Sequence, residues 1–153
     1  MKTSICASCA SGIFLLLGSL SFAAEQPVKL QQLPPAVRQT AAEQSKGATV
    51  RGYTKEVEHG QTRYEVATVK DGKTRDVEMD ANGNVTEVEQ EVSLDSIPAS
   101  ARTALQKAAA SGKITKVESV TSGSKVNYEA TIHTGKRHIE IQVDSNGQRQ
   151  KED

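Results

Sequence analysis

Three histidines, a run of alternating glutamates and one Asp-x-Asn-x-Asn segment are the places where this 153-residue chain could hold a metal or move a proton. His133 and His138 flank Thr134-Gly135, a turn signal, so a hairpin would set them opposite each other with Glu140 close by. That trio has the donor types of a weak transition-metal site. Two solvated strand-end histidines satisfy the same spacing, and no metal ligand is assigned. His59 precedes Gly60 and reads as a solvated turn residue. Asp80, Asn82, Asn84 and Glu91 fall on positions 1, 3, 5 and 12 of a calcium loop. Such a loop needs glycine at its sixth position for the sharp bend, and that residue is Val85. Gly83 stands instead where Asn82-Gly83 would turn a β-hairpin, so the segment is read as a turn.

Glu87, Glu89 and Glu91 alternate along one face of a strand and are read as solvated. Carboxylates that cleave glycosides work in a cleft, and a chain with three Tyr, two Phe and no Trp has little with which to wall one. Neither Gly-x-Ser-x-Gly nor His-Glu-x-x-His is present, and no glycine-rich loop could cradle a phosphate. No catalytic residue and no cofactor is therefore expected.

The elements that position these residues begin after an export signal. Lys2 precedes the apolar run Ile13-Phe14-Leu15-Leu16-Leu17, and Ser21-Phe22-Ala23-Ala24 follows. A run of about ten residues is short of the ~20 that span a bilayer, so residues 1–23 read as a signal peptide cut between Ala23 and Ala24. Cys6 and Cys9 precede the run, on the wrong side for lipid attachment. Cleavage removes both cysteines, both Phe and Lys2, leaving 130 residues with 18 basic and 19 acidic side chains. The mature chain then has no disulfide, no cysteine zinc site and no thiol nucleophile. Its charge balance removes the electrostatic case for nucleic acid and for a polybasic membrane surface. The expected location is periplasmic or secreted, without stable membrane insertion.

The remaining chain repeats itself at a shift of 64 residues. Leu33-Pro34 maps to Ile97-Pro98, Tyr64-Glu65 to Tyr128-Glu129, Val77 to Ile141, and Asp80-Ala81-Asn82-Gly83 to Asp144-Ser145-Asn146-Gly147. Proline in the first turn opens a helix in each copy, and Gly47 and Gly112 are the expected stops. Val37, Ala41 and Gln44, then Ala101, Leu105 and Ala108, recur at helical spacing. After each helix the apolar residues alternate: Tyr64, Val66, Thr68, then Val77 and Met79; Val126, Tyr128, Ala130, Ile132, then Ile139, Ile141 and Val143. Thr86, Val88, Gln90 and Val92 share a face and extend the first copy by a fourth strand, whereas Gln148 to Asp153 has no apolar residue to do so. The fold class predicted is α+β, with two tandem repeats at 28–92 and 93–153. Each is expected to pack one helix on one face of its own three- to four-stranded antiparallel sheet, with Tyr64 and Tyr128 in the two cores.

These features resemble the PepSY-like domains of exported bacterial proteins. The residues carrying the resemblance are Leu33-Pro34, Gly47-Ala48-Thr49-Val50, Tyr64-Glu65-Val66, Asp71-Gly72, Val77-Glu78-Met79-Asp80 and Gly83-Asn84-Val85. The second copy keeps Ile97-Pro98, Tyr128-Glu129-Ala130, Gly135 and Asp144-Ser145-Asn146-Gly147, departs in its first hairpin and lacks the terminal Val. The resemblance implies a fold similar to that of proteinaceous β-lactamase inhibitors, with helices on one face of an antiparallel sheet. Such domains occur in propeptides of thermolysin-like peptidases, as sensor modules and as free-standing envelope proteins. No catalytic residue carries over.

Two functions follow as expectations. The first is a non-enzymatic module that binds another exported protein, such as a peptidase or a sensor, as an inhibitor or chaperone. Its docking surface would be the charged sheet face bearing Arg63, Glu65, Asp76, Glu78, Glu129, Arg137 and Glu140. The alternative is a periplasmic sensor or carrier that holds a small ligand or metal between the two repeats. Oligomeric state is left open.

Overall fold

The computed structural model describes residues 25–150 apart from His59. The signal peptide, the Ala23–Ala24 cleavage site and the reading of His59 lie outside the described residues. Within them the chain runs β1 (Gln26–Val28), α1 (Pro35–Gln44), β2 (Thr49–Glu58), β3 (Gln61–Lys70), β4 (Lys73–Asp80) and β5 (Val85–Glu91). It continues through α2 (Ala99–Ala109), β6 (Lys113–Ser122), β7 (Lys125–Thr134) and β8 (Arg137–Asp144). Short 3-10 turns at Leu30–Gln32 and Leu94–Ser96 lead into the helices.

The strands form one eight-stranded antiparallel sheet in chain order, with both helices on the same side. This corrects the expectation of two smaller sheets. Two sheets would each leave a strand edge with unpaired backbone groups, and here β5 pairs with β4 on one side and with β6 on the other, from Glu87↔Ser122 to Glu91↔Glu118. The strand β1, pairing Val28 with Tyr53, was not foreseen. Beyond β8 only a Val143↔Arg149 bridge and the Gln150 N–H donated to the Gln142 carbonyl at 2.9 Å continue the sheet among the described residues.

Pro34 and Pro98 stand at the helix N-caps with extended φ and ψ, the conformation that proline favours. The thin alanine-rich stripes face the sheet: Val37 and Ala41 over Val66, Val77 and Met79; Ala101, Leu105 and Ala109 over Ala130, Ile132, Ile141 and Val143. Ala109 takes the place predicted for Ala108, which is exposed. Tyr64 and Tyr128 are partly buried and pack against the edges of these cores rather than within them. Gly112 does not carry the left-handed turn that ends α2. Ala110 does, at φ 48°, while Gly112 is where β7 comes closest, since a Cβ there would lie 2.6 Å from Thr134 Oγ1.

Gly83 and Gly147 each have φ of +81° and lie under a helix start. A Cβ on Gly83 would fall 2.8 Å from the Ala36 carbonyl group, and one on Gly147 2.7 Å from the Ser100 carbonyl oxygen. The turn after β4 thus presses backbone to backbone against α1, and the turn after β8 does the same against α2. The Asp80 carboxylate stiffens its turn by accepting the N–H groups of Asn82 and Asn84 at 2.8 and 2.9 Å, and Asp144 accepts those of Asn146 and Gln148 at 2.9 and 2.8 Å.

Candidate functional site

Because both helices sit on one side, the other side of the sheet carries the residues that alternate out of phase with the cores. In β3 these are Arg63, Glu65 and Ala67, and in β4 Asp76 and Glu78. Glu87, Glu89 and Glu91 of β5 join them, as do Glu118 and Val120 of β6 and Glu129 of β7. Arg137 does not. It shares the parity of Ile139 and Ile141 and so belongs to the helix side, whereas Glu140 lies on the open face opposite Thr131.

The register sets like charges directly opposite each other. Glu65 faces Glu78, which faces Glu87; Asp76 faces Glu89; Glu91 faces Glu118, which faces Glu129. Directly opposed like charges destabilise a sheet by a few tenths of a kcal/mol to about 1 kcal/mol per pair. Two cations reach into the cluster. Arg63 stands 3.7 Å from Glu78, and Lys116 donates to Glu118 at 2.8 Å. Hydroxyls take part of the remaining charge: Thr86 donates to Glu78, and Thr74 donates its N–H and hydroxyl to Glu91 at 3.0 and 3.2 Å.

The consequence is a set of carboxyls held away from their ordinary ionisation. Burial, and then the charge of Asp76, push Glu65 up to about 7. Burial, and then the charge of Glu118, push Glu89 up to about 8. Glu87 is also raised, by burial and then by Glu78. Burial works against the Lys116 ammonium, yet its hydrogen bond to Glu118 and the surrounding carboxylates hold its pKa above the usual lysine value. The reading of Glu87, Glu89 and Glu91 as plainly solvated is thereby corrected. They are half-buried, because β5 is an interior strand flanked by β4 and β6.

Glu65, Asp76, Glu78, Glu87 and Glu89 line a cleft of about 200 Å³, together with Thr54 and, as the single cation among the described residues, Arg63. Roughly 300 to 1,000 Å³ is usual for small-molecule sites, so the cleft suits a side chain better than a cofactor. Its lining comes from the segment between Glu25 and Glu89, not from a junction of two repeats. Carboxylate oxygens of Asp76, Glu89 and Glu118 lie within 4.8 Å of one another and have the donor chemistry for a hard cation.

The histidine pair is where the sequence placed it, His133 opposite His138 with ring centroids 6.0 Å apart. Glu140 does not converge with them into a three-ligand group. Ser122-Gly123-Ser124-Lys125 has the spacing of a serine–lysine nucleophile pair, which sequence reading passed over. It forms the β6–β7 turn, where Ser122 donates to the Thr86 carbonyl at 3.3 Å and Lys125 is exposed. Glu118, only 2% exposed, was also missed, since its place beside Glu91 depends on the β5–β6 pairing.

The profile of a family described as "Putative beta-lactamase-inhibitor-like, PepSY-like" matches residues 63–151, from β3 past the end of β8. The chain belongs to the PepSY-like family. A second profile, "Peptidase propeptide and YPEB domain", matches residues 36–89, which span α1 to β5. Among solved structures, a BLIP-like protein from Bacteroides fragilis shares 18% identity at a TM-score of 0.55, covering 79% of this chain and 85% of its own. A "putative periplasmic" protein from Bacteroides eggerthii shares 14% identity at a TM-score of 0.61, covering 78% and 86%. At these identities the likeness is one of fold. No curated protein sequence matches. No helix among the described residues is long and apolar enough to cross a membrane.

Proposed function

We propose that this PepSY-like protein is a non-enzymatic module, exported by residues 1–23, that binds another exported protein on the helix-free face of its sheet. The observation that carries this reading is the face itself. Eight strands wide, it is covered by neither helix and keeps half-buried carboxylates in opposed register, an arrangement the fold tolerates at a cost in stability. A large polar surface of one sign sets partner choice and association rate through charge complementarity. The family descriptions support the same reading, since inhibitors and propeptides act by occupying another protein. The tandem organisation, 28–92 and 93–153, belongs to this proposal. The recurrence after 64 residues of the Asp-centred turn and of the glycine beneath a helix supports it.

The carrier reading draws on a narrower observation, the Asp76, Glu89 and Glu118 oxygens within 4.8 Å of one another. Tagged mature chain recovered from an envelope extract separates the two. A partner that is retained at low salt and lost at raised salt, and that rebinds as a purified protein, supports docking. Stoichiometric metal or small molecule without such a partner would replace it with the carrier reading.

A further inference from the structure

Charge on this molecule is sorted by side. The chain as a whole has 19 basic and 19 acidic residues. The helix side gathers Lys46, Lys70, Lys73 and Arg75 near the end of α1. The open face between β2 and β7 is acidic, and the cations that reach its cluster, Arg63 and Lys116, already face Glu78 and Glu118. At the heart of the cluster, the carboxyl groups of Glu65 and Glu89 make no side-chain hydrogen bond or salt bridge among the described residues, and the ammonium acting on Glu89, that of Lys116, is bonded to Glu118. Beside Glu65, on the side away from Glu89, the floor is low: Gly52 of β2 is paired with Ala67 of β3, and a Cβ on Gly52 would meet nothing within 4 Å.

From this arrangement we infer that the acidic trough across β2 to β6 is the seat of a cationic segment of the partner, one that sets lysine or arginine side chains between Glu65 and Glu89. The inference rests on the docking reading above and names the chemistry of its occupant. A strand face with like charges in opposed register is destabilised when bare and relieved by an incoming cation. An arginine or lysine there would face several acceptors at once in a partly desolvated site, where charge-assisted hydrogen bonds are about twice as strong as neutral ones. A basic side chain entering from the β2 side would lay its stem over Gly52 and Ala67, which leave room for methylenes. Burial and then the neighbouring carboxylates raise both Glu65 and Glu89, and a cation brought between them would favour their charged forms.

The test is fluorescence anisotropy on the mature chain at pH 8. The probe is a labelled twelve-residue peptide carrying lysines and arginines at alternate positions, with a glutamate-substituted peptide of the same length as its counterpart. The basic peptide should bind, and lose at least tenfold in affinity between 20 and 200 mM salt. The double substitution Glu65→Gln and Glu89→Gln removes repulsion and breaks no hydrogen bond, so this variant should melt no lower than the parent while binding the basic peptide at least tenfold more weakly. Equal binding of both peptides, or unchanged binding by the double variant, would overturn the inference. So would calcium or zinc that binds stoichiometrically at these carboxylates and is not displaced by the peptide. If a partner recovered from the envelope stays bound when the basic peptide is in excess, the cationic-segment assignment fails and docking stands; if neither partner nor peptide binds, both fail.

Discussion

Glu65 and Glu89 lie on adjoining parts of one face but are surrounded differently. Around Glu65 are Glu25 and Glu56 on the β1–β2 side and Asp76 and Glu78 on β4. Around Glu89 are Glu87 on its own strand, Glu118 and the Lys116 ammonium on β6, and Glu129 on β7. Both acids have folded-state pKa values raised from 4.5, to about 7 and about 8. Between those limits the folded chain keeps protons that the unfolded chain has released, so stability is full below 4.5 and declines as pH rises through 7 to 8. Denaturant unfolding should therefore give a lower free energy at pH 9 than at about pH 5. The Glu65→Gln, Glu89→Gln variant should flatten that slope, gaining roughly 2 kcal/mol over the parent at high pH after allowance for partial solvation, and about zero at pH 5. A parent whose stability is flat from pH 5 to 9 would show that these carboxyls titrate normally.

At the scale of elements, the two turns that end β4 and β8 act as clamps on the helices. Thr40 donates its hydroxyl to the Gly83 carbonyl at 2.8 Å, tying α1 to the turn that touches it. Glycine is needed there twice over, for the left-handed φ of +81° and for the 2.8 Å approach to Ala36. Gly83→Ala should cost roughly 2 to 3 kcal/mol, and Gly147→Ala a similar amount, in chemical denaturation. Gly60→Ala serves as comparison: its φ is +77° but a Cβ would meet nothing within 4 Å, so only backbone strain, about 1 kcal/mol, is expected. Equal losses at all three would remove the packing part of the argument. These elements were legible in the sequence because proline starts, Asn-Gly turns and period-two alternation are local signals. The β5–β6 joint was not, because it pairs residues about thirty positions apart, such as Gln90 and Ser119, with no turn motif between them. Glu118 and the half-burial of Glu89 went unread for the same reason. Arg137 was assigned to the wrong face by a slip of one in strand parity, which reverses every side chain.

As a whole the molecule is two helix-on-sheet cores sharing one sheet, and neither core contains a Trp, a Phe or a disulfide among the described residues. Units of some 60 residues bury only about 60% of their unfolded surface, which leaves each half marginal alone. Segments 25–92 and 93–150, expressed separately, should melt well below the full chain, because each loses the β5–β6 pairing. Halves that melt cooperatively at the temperature of the full chain would contradict that coupling.

The same sheet, continuous across both halves, carries the broad acidic face on which partner binding is proposed. Residues 24–153 contain no cysteine, so in that segment a single one placed at will can carry a photo-crosslinker. Glu87→Cys puts it on the helix-free face and Ala42→Cys on the exposed side of α1. The account predicts one crosslinked partner from position 87 in envelope extract, lost at raised salt, and none from position 42. Crosslinking from position 42 alone, or from neither position, would contradict it.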